Sequence, residues 1–153
     1  MDLLKLMQQR RSVRTYADTP IPQEQLDVIL QAGALAPTSR NRKPCTFHVV
    51  TDKTVLERLS KAKHSGAAFT AQAGAAIIVA ADSTKADTWV EDSAIAMTYM
   101  MLVAEAQALG CCWVQIHLRT DAEGNSAEEN VRELLGLSAN FRIVGFLILG
   151  VKA

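Results

Sequence analysis

Between Ala94 and Ala104 the sequence reads AIAMTYMMLVA, a stretch without a single charged side chain. The surrounding pattern predicts a long helix over roughly Asp87–Leu109, with Gly110 as its C-terminal stop. Glu91 and Asp92 stand near its start, where negative charge is favoured, and carry no sign of being a catalytic pair. A helix with no polar face must be buried on every side. A chain of 153 residues makes one domain, residues 1–153, around a single core. Such a domain is too small to cover that helix, so a second copy of the chain is expected to complete its burial. Met97, Met100 and Met101, at helical spacing, are expected in that dimer core. The run is about half of the roughly 20 apolar residues that span a bilayer, so no membrane partner is expected.

The remaining pattern alternates helices and strands. Leu3, Leu4, Leu6 and Met7 predict a short amphipathic helix over residues 2–9. Pro22 suits the first position of a second helix, which Pro37 ends. CTFHVV (45–50) reads as a strand, and 52–63 as a capped amphipathic helix. HSGAAFTAQAGA (64–75) is rich in small residues and fits a helix or a turn. AAIIVAA (75–81) is a continuous apolar run, the mark of a strand buried on both faces. CCWVQI (111–116) and FRIVGFLILGV (141–151) read as further strands. Between them Ser126 and Glu129 form a capping-box pattern before a helix that ends at Gly136. This order predicts an α/β or α+β sandwich: a mixed, mainly antiparallel sheet of about four strands flanked by helices.

Composition narrows the partners. Sixteen basic residues balance sixteen acidic ones, which disfavours nucleic acid as a ligand. Cys45, Cys111 and Cys112 are odd in number and lack metal-ligand spacing, so a reducing, cytoplasmic setting is expected. The start of the chain does not resemble a signal peptide. His48, His64 and His117 also show no ligand spacing, and no metal is expected. Adjacent Cys111 and Cys112 read as small buried strand residues rather than a redox pair. No glycine-rich dinucleotide or phosphate loop occurs.

Against that neutral background, QQRRSVRTY (8–16) concentrates Arg10, Arg11 and Arg14 around Ser12. In an extended chain Arg10, Ser12 and Arg14 fall on one side and could present three donors to a single ligand. A solvated basic turn, or ion pairs with acidic helices, would explain the same spacing. APTSRNRKP (36–44) sets Thr38, Ser39 and Asn41 on a loop between a helix and a strand. An ordinary turn has the same composition. Together the two stretches suit an anionic, hydrogen-bonding cofactor, because neither a carboxylate pair nor a nucleophile with a base accompanies them.

These stretches resemble the nitroreductase family of FMN-dependent NAD(P)H oxidoreductases, in a short form. RRSVRTY (10–16) and IPQEQLDVILQAGALAPTSRNRKP (21–44) resemble its opening. WVEDSAIAMTYMMLVAEAQALGCCWVQI (89–116) resembles its central dimer helix and following strand, and VRELLGLSANFRIVGFLILG (131–150) its closing helix and strand. The resemblance implies an intertwined homodimer with FMN in two clefts at the subunit interface. Position by position, it implies cofactor contacts from Arg10, Arg11, Ser12 and Arg14. The partner subunit would add Pro37, Thr38, Ser39 and Asn41, and the backbone around Gln115, Ile116 and His117 would run beside the flavin ring. No catalytic side chain is implied. NADH or NADPH would reduce the flavin, and a nitroaromatic, quinone or similar small acceptor would then take the electrons in a ping-pong cycle. A flavin-binding dimer for storage or sensing is the alternative. Two departures stand out. The family's Gln-Pro-Trp is Lys43-Pro44-Cys45, and the sequence stops at Ala153, so either Lys152 replaces a basic residue of the family's C-terminal tail or that contact is missing.

Overall fold

A computed structural model describes all residues from Met1 to Ala153. Helix α1 spans Leu3–Gln9 and α2 spans Gln23–Leu35. A 3-10 turn at Ser39–Asn41 leads to strand β1, Cys45–Val50. Helix α3 (Lys53–Leu59), a 3-10 segment (Ala68–Gln72) and strand β2 (Ala75–Asp82) follow. Helix α4 is Trp89–Ala106, β3 is Leu109–Gln115, α5 is Ala127–Leu135 and β4 is Phe141–Val151.

The four strands form one sheet in the order β1-β2-β4-β3, and every neighbouring pair is antiparallel. The only parallel element is an isolated bridge between Ser12 and Cys111. Side chains alternate across a strand, and the sheet therefore builds two cores. Ala76, Ile78 and Ala80 of β2 face Leu56, Leu59 and Val131 from α3 and α5. Ala75, Ile77 and Val79 face Leu26, Ile29, Met97 and Met100 from α2 and α4. The uninterrupted apolar run of β2 is thus buried on both faces.

Capping marks several boundaries. Asp2, Asp52 and Ser126 accept backbone N–H groups at the starts of α1, α3 and α5. Gly136 ends α5 in the left-handed conformation. Three expectations change. Helix α3 stops at Leu59 rather than Lys63. Helix α4 stops at Ala106, and Ala108 takes the left-handed turn (φ 59°), while Gly110 lies inside β3 opposite Gly150. Gly110 is needed there for space: a Cβ would approach the Val13 side chain at 2.7 Å and the Tyr16 ring at 3.1 Å.

The third change concerns α4. Met97 and Met100 are fully buried within the chain's own core, where a Cβ on Gly33 would lie 2.9 Å from the Met100 sulfur. They are not surface residues awaiting a partner. The apolar side left open carries Ile95 (37% exposed) and Tyr99 (41%), one helical turn apart. No helix is long and apolar enough to cross a membrane.

Candidate functional site

Arg10–Tyr16 leaves α1, meets the outer edge of β3 at Cys111 and passes onto the C-terminal end of β4. Val13 N–H donates to the Cys111 carbonyl (3.0 Å), and Ala17 N–H to the Val151 carbonyl (2.9 Å). Tyr16 pins the segment: its hydroxyl donates to the Val13 carbonyl, and its ring lies on Gly150. Burial, together with the neighbouring Cys111 and Cys112, pushes the Tyr16 hydroxyl pKa up, so it remains a donor.

None of Arg10, Arg11 and Arg14 pairs with a carboxylate; the chain's ion pairs involve other cations, including Arg42 with Asp87 and Lys152 with Glu105. Arg11 turns back and donates to the carbonyls of Gln8 (2.7 Å) and Arg10 (2.9 Å), closing the end of α1. Arg14 stacks over the Phe69 ring, 5.6 Å from its centroid. Arg10 is half-buried, and its Nη1 is enclosed without any hydrogen-bond partner. A buried donor left unsatisfied costs about 1–3 kcal/mol, and no acceptor within the chain offsets that cost. Ser12 is exposed beside it.

Farther along the same edge, main-chain groups alternate in direction. Cys111 faces outward to Val13, and so Trp113 and Gln115 also turn their N–H and C=O groups away from β4. The Gln115 side chain is committed: its Oε1 accepts from the Trp113 indole (2.9 Å) and its Nε2 donates to the His117 carbonyl (3.3 Å). A ligand at Gln115 would meet backbone. Ile116 offers nothing further in this chain. Its side chain is fully buried, its N–H donates to the Val144 carbonyl, and its own carbonyl accepts from Arg119.

The loop carrying Pro37, Thr38, Ser39 and Asn41 lies before β1, at the opposite edge of the sheet. Three strand spacings put the two edges about 14 Å apart. The structure therefore puts Ser12 beside Cys111 at the β3 edge, with Gln115 four residues farther along that strand and Arg14 over Phe69, and leaves the loop residues at the other edge. The loop is tightly wound: Arg40 (φ 53°), Asn41 (φ 53°) and Lys43 (φ 48°) all have left-handed backbones, each costing about 1–2 kcal/mol for a residue with a Cβ. Thr38 Oγ1 accepts the Lys43 N–H (3.0 Å), while the Ser39 N–H donates to Asp92 Oδ1 (3.1 Å). Cys45, where the family pattern has tryptophan, lines a cavity of about 170 Å³ with Thr38, Phe47 and Ala96.

Two carboxylates are buried, Asp92 in the first turn of α4 and Glu128 in that of α5. Asp92 ties the loop to the first turn of α4. Glu128, 6% exposed, accepts from Arg132 (2.9 Å), Arg142 (2.5 Å) and the Ile143 N–H (3.2 Å). Burial alone would raise its pKa, but these hydrogen bonds and the two guanidinium charges outweigh it and hold Glu128 below the usual carboxylate range. Glu128 also lies 3.5 Å from His117 Nδ1, and the His117 ring meets Trp89 edge-on at 5.1 Å. This cluster fixes the backbone just beyond Gln115. The capping pattern at Ser126 and Glu129 drew attention to the right turn of helix without revealing that its neighbour Glu128 points inward.

The cysteines offer no chemistry. Burial pushes the Cys111 thiol up to about 12, and Cys112 lies on the opposite face of β3. No three His, Cys, Asp or Glu side chains meet as a metal site. Lys152 is held by both oxygens of Glu105 (3.0 and 3.2 Å) rather than left free for a ligand.

Comparison with known proteins identifies the fold and the family. A sequence model of the Nitroreductase family matches residues 7–82 and 63–151. A relative from Archaeoglobus fulgidus, whose name pairs NADH dehydrogenase with NAD(P)H nitroreductase, is 33% identical over 97% of this chain and 84% of its own length. The solved FMN-dependent nitroreductase of Clostridium difficile R20291 superposes with a TM-score of 0.95 at 35% identity, covering 97% of this chain and 87% of that one. A structure from Desulfovibrio desulfuricans, solved in complex with FMN, aligns over all of this chain and 87% of its own, with a TM-score of 0.83 at 25% identity.

Proposed function

Because this chain belongs to the nitroreductase family, we propose that it is an FMN-dependent oxidoreductase that passes electrons from NADH or NADPH to a small acceptor such as a nitroaromatic or quinone. The observation that carries the reading is Arg10 Nη1, buried and unpartnered in a segment whose Arg11 and Arg14 also form no ion pair with a carboxylate. An anionic ligand satisfies that donor, and the flavin phosphate has the charge and acceptor geometry for a guanidinium fork. Ser12 adds a hydroxyl donor beside it. The FMN-bound relative and an FMN reductase [NAD(P)H] of Bacillus subtilis, 34% identical over 60% of this chain and 36% of its own length, support the choice of cofactor.

FMN, when bound, supplies the redox chemistry, and the protein contributes binding, orientation and charge. Arg14 sets a guanidinium at the cofactor's edge, where it favours added negative charge. The outward backbone of Trp113 and Gln115 offers donors and acceptors to the ring. Thr38, Ser39 and Asn41 come from a second copy of the chain, since within one copy their loop precedes β1, at the edge of the sheet opposite β3. The open side of α4 at Ile95 and Tyr99 is the surface on which that copy packs. This arrangement needs no protein acid or base, and electrons enter and leave at the same cleft.

The test is reduction of the flavin-loaded protein. FMN added to the apoprotein binds, its oxidised absorbance bleaches with NADH or NADPH, and a quinone or nitroaromatic restores it. Flavin that binds but stays oxidised with both nicotinamides refutes the enzyme reading and leaves a storage or sensing dimer. Failure to bind FMN refutes the site itself.

A further inference from the structure

We propose that Asp92 is a positioning residue: from the first turn of α4 it holds the Pro37–Pro44 loop in the shape that the partner's flavin cleft requires, without touching the ligand. The inference rests on the flavin reading above and adds a residue to which no role is assigned. Asp92 is 2% exposed, and both of its carboxylate oxygens are in use. Oδ1 accepts the Ser39 N–H at 3.1 Å, and Oδ2 accepts the Thr88 hydroxyl at 3.0 Å. No cation pairs with it among the chain's ion pairs. A buried carboxylate without a cation is costly unless hydrogen bonds and local dipoles offset the lost hydration. Here two donors and the N-terminus of an 18-residue helix provide that offset.

Asp92 meets the loop at its most demanding point. Ser39 is followed by left-handed Arg40 and Asn41, and after one ordinary residue by left-handed Lys43. Side chains at these positions favour relaxation to right-handed geometry, so the loop keeps its shape only if its ends are fixed. The other side-chain links to α4 and its approach are weaker. Arg42 and Asp87 stand 3.8 Å apart with Asp87 largely exposed, and the Cys45 sulfur is 3.7 Å from the Ser93 hydroxyl. A charge-assisted hydrogen bond to the loop backbone is the strongest of these tethers. It also links the loop to the helix whose open side is assigned to the partner, so loop shape and subunit packing share one anchor.

The experiment compares FMN titrations of apoprotein carrying Asp92→Ala, Asp92→Asn or Arg14→Ala, followed by quenching of flavin fluorescence. Asp92→Ala is expected to weaken FMN binding about tenfold to a hundredfold, the equivalent of one hydrogen bond to a charged group. Asp92→Asn, which still offers an oxygen to Ser39, should restore most of it. A purely structural role would give the same pattern, so the deciding measurement uses mixed dimers. In a dimer of one Asp92→Ala chain and one Arg14→Ala chain, both lesions fall in the same cleft and the other cleft is intact. Half of the flavin sites should then regain wild-type affinity. Mixed dimers without a tight site, or wild-type affinity in Asp92→Ala itself, overturn the proposal. If Asp92→Ala does not fold, Thr88→Val, which removes the hydroxyl that holds Asp92 Oδ2 and loosens its grip on the loop, takes its place, and the same two outcomes decide. Wild-type protein that fails to bind FMN would instead refute the flavin reading.

Discussion

Gly150→Ala separates the placement of the arginine segment from the stability of the fold. A Cβ at Gly150 would lie 2.6 Å from Tyr16 Cγ and 2.8 Å from Tyr16 Cβ. Carbon atoms pack favourably at about 3.5–4.0 Å, so the overlap is close to 1 Å. The clashing atoms are at the root of the tyrosine, beside a backbone held by the Ala17 N–H to Val151 carbonyl bond and the bridge to Lys152. Rotation of the ring therefore gives no relief, and the Arg10–Tyr16 segment must lift from the sheet. Overpacking of this kind costs about 1–3 kcal/mol. For a chain of this size that lowers Tm by about 2–4 °C per kcal/mol. Gly136→Ala is the control. Gly136 has a left-handed backbone (φ 67°) and empty space around its Cβ position, so alanine there strains the end of α5 alone. Both variants should melt earlier in thermal denaturation, but only Gly150→Ala should lose FMN affinity, by at least tenfold. If both retain wild-type affinity at matched loss of stability, Tyr16 packing does not place Arg10 and Arg14, and the reasoning fails.

The other expectations are briefer. Glu128→Gln breaks a buried carboxylate network and should destabilise the fold by about 3 kcal/mol near neutral pH. Because the folded Glu128 pKa is depressed, its contribution is present above the unfolded carboxylate pKa and disappears as pH falls through the folded value. Denaturant titrations of wild type and variant should converge in acid; a gap that stays constant would contradict the assignment. Tyr99→Lys puts a charge on the open side of α4 and should give monomers by sedimentation, with the fold intact by circular dichroism. Met100→Lys instead buries a charge in the chain's own core and should unfold the monomer, so matching behaviour of the two variants would contradict the division of α4 into inner and outer faces.

What could be read in advance depended on whether a signal was local. Strands β1 and β4 begin and end where the sequence pattern puts them, since β-branched and apolar runs with clear stops need no knowledge of neighbours. AAIIVAA announced a strand covered on both faces, and it is the most buried element of the sheet. Gly110 misled because a glycine after a helix commonly ends it, whereas its real constraint is the Val13 and Tyr16 side chains, almost a hundred residues earlier. The methionines of α4 were legible as buried but not as buried by what: period alone cannot distinguish α2 and β4 of the same chain from a second copy. The burial of Asp92 and Glu128 was not legible for the same reason. Their partners, Ser39 and Arg142, are distant in sequence, and a carboxylate in the first turn of a helix ordinarily faces water. The arginine cluster stood out because it was a local excess, and the structure adds that one donor of Arg10 is enclosed and unpaired.

Sedimentation velocity with simultaneous detection of protein and flavin tests the central claim most directly. A cleft assembled from Arg10, Ser12 and Arg14 of one chain and Thr38, Ser39 and Asn41 of another predicts one FMN per chain, all of it moving with the dimer, and release of the flavin from Tyr99→Lys monomers. Flavin that travels with the monomer at undiminished affinity would contradict it.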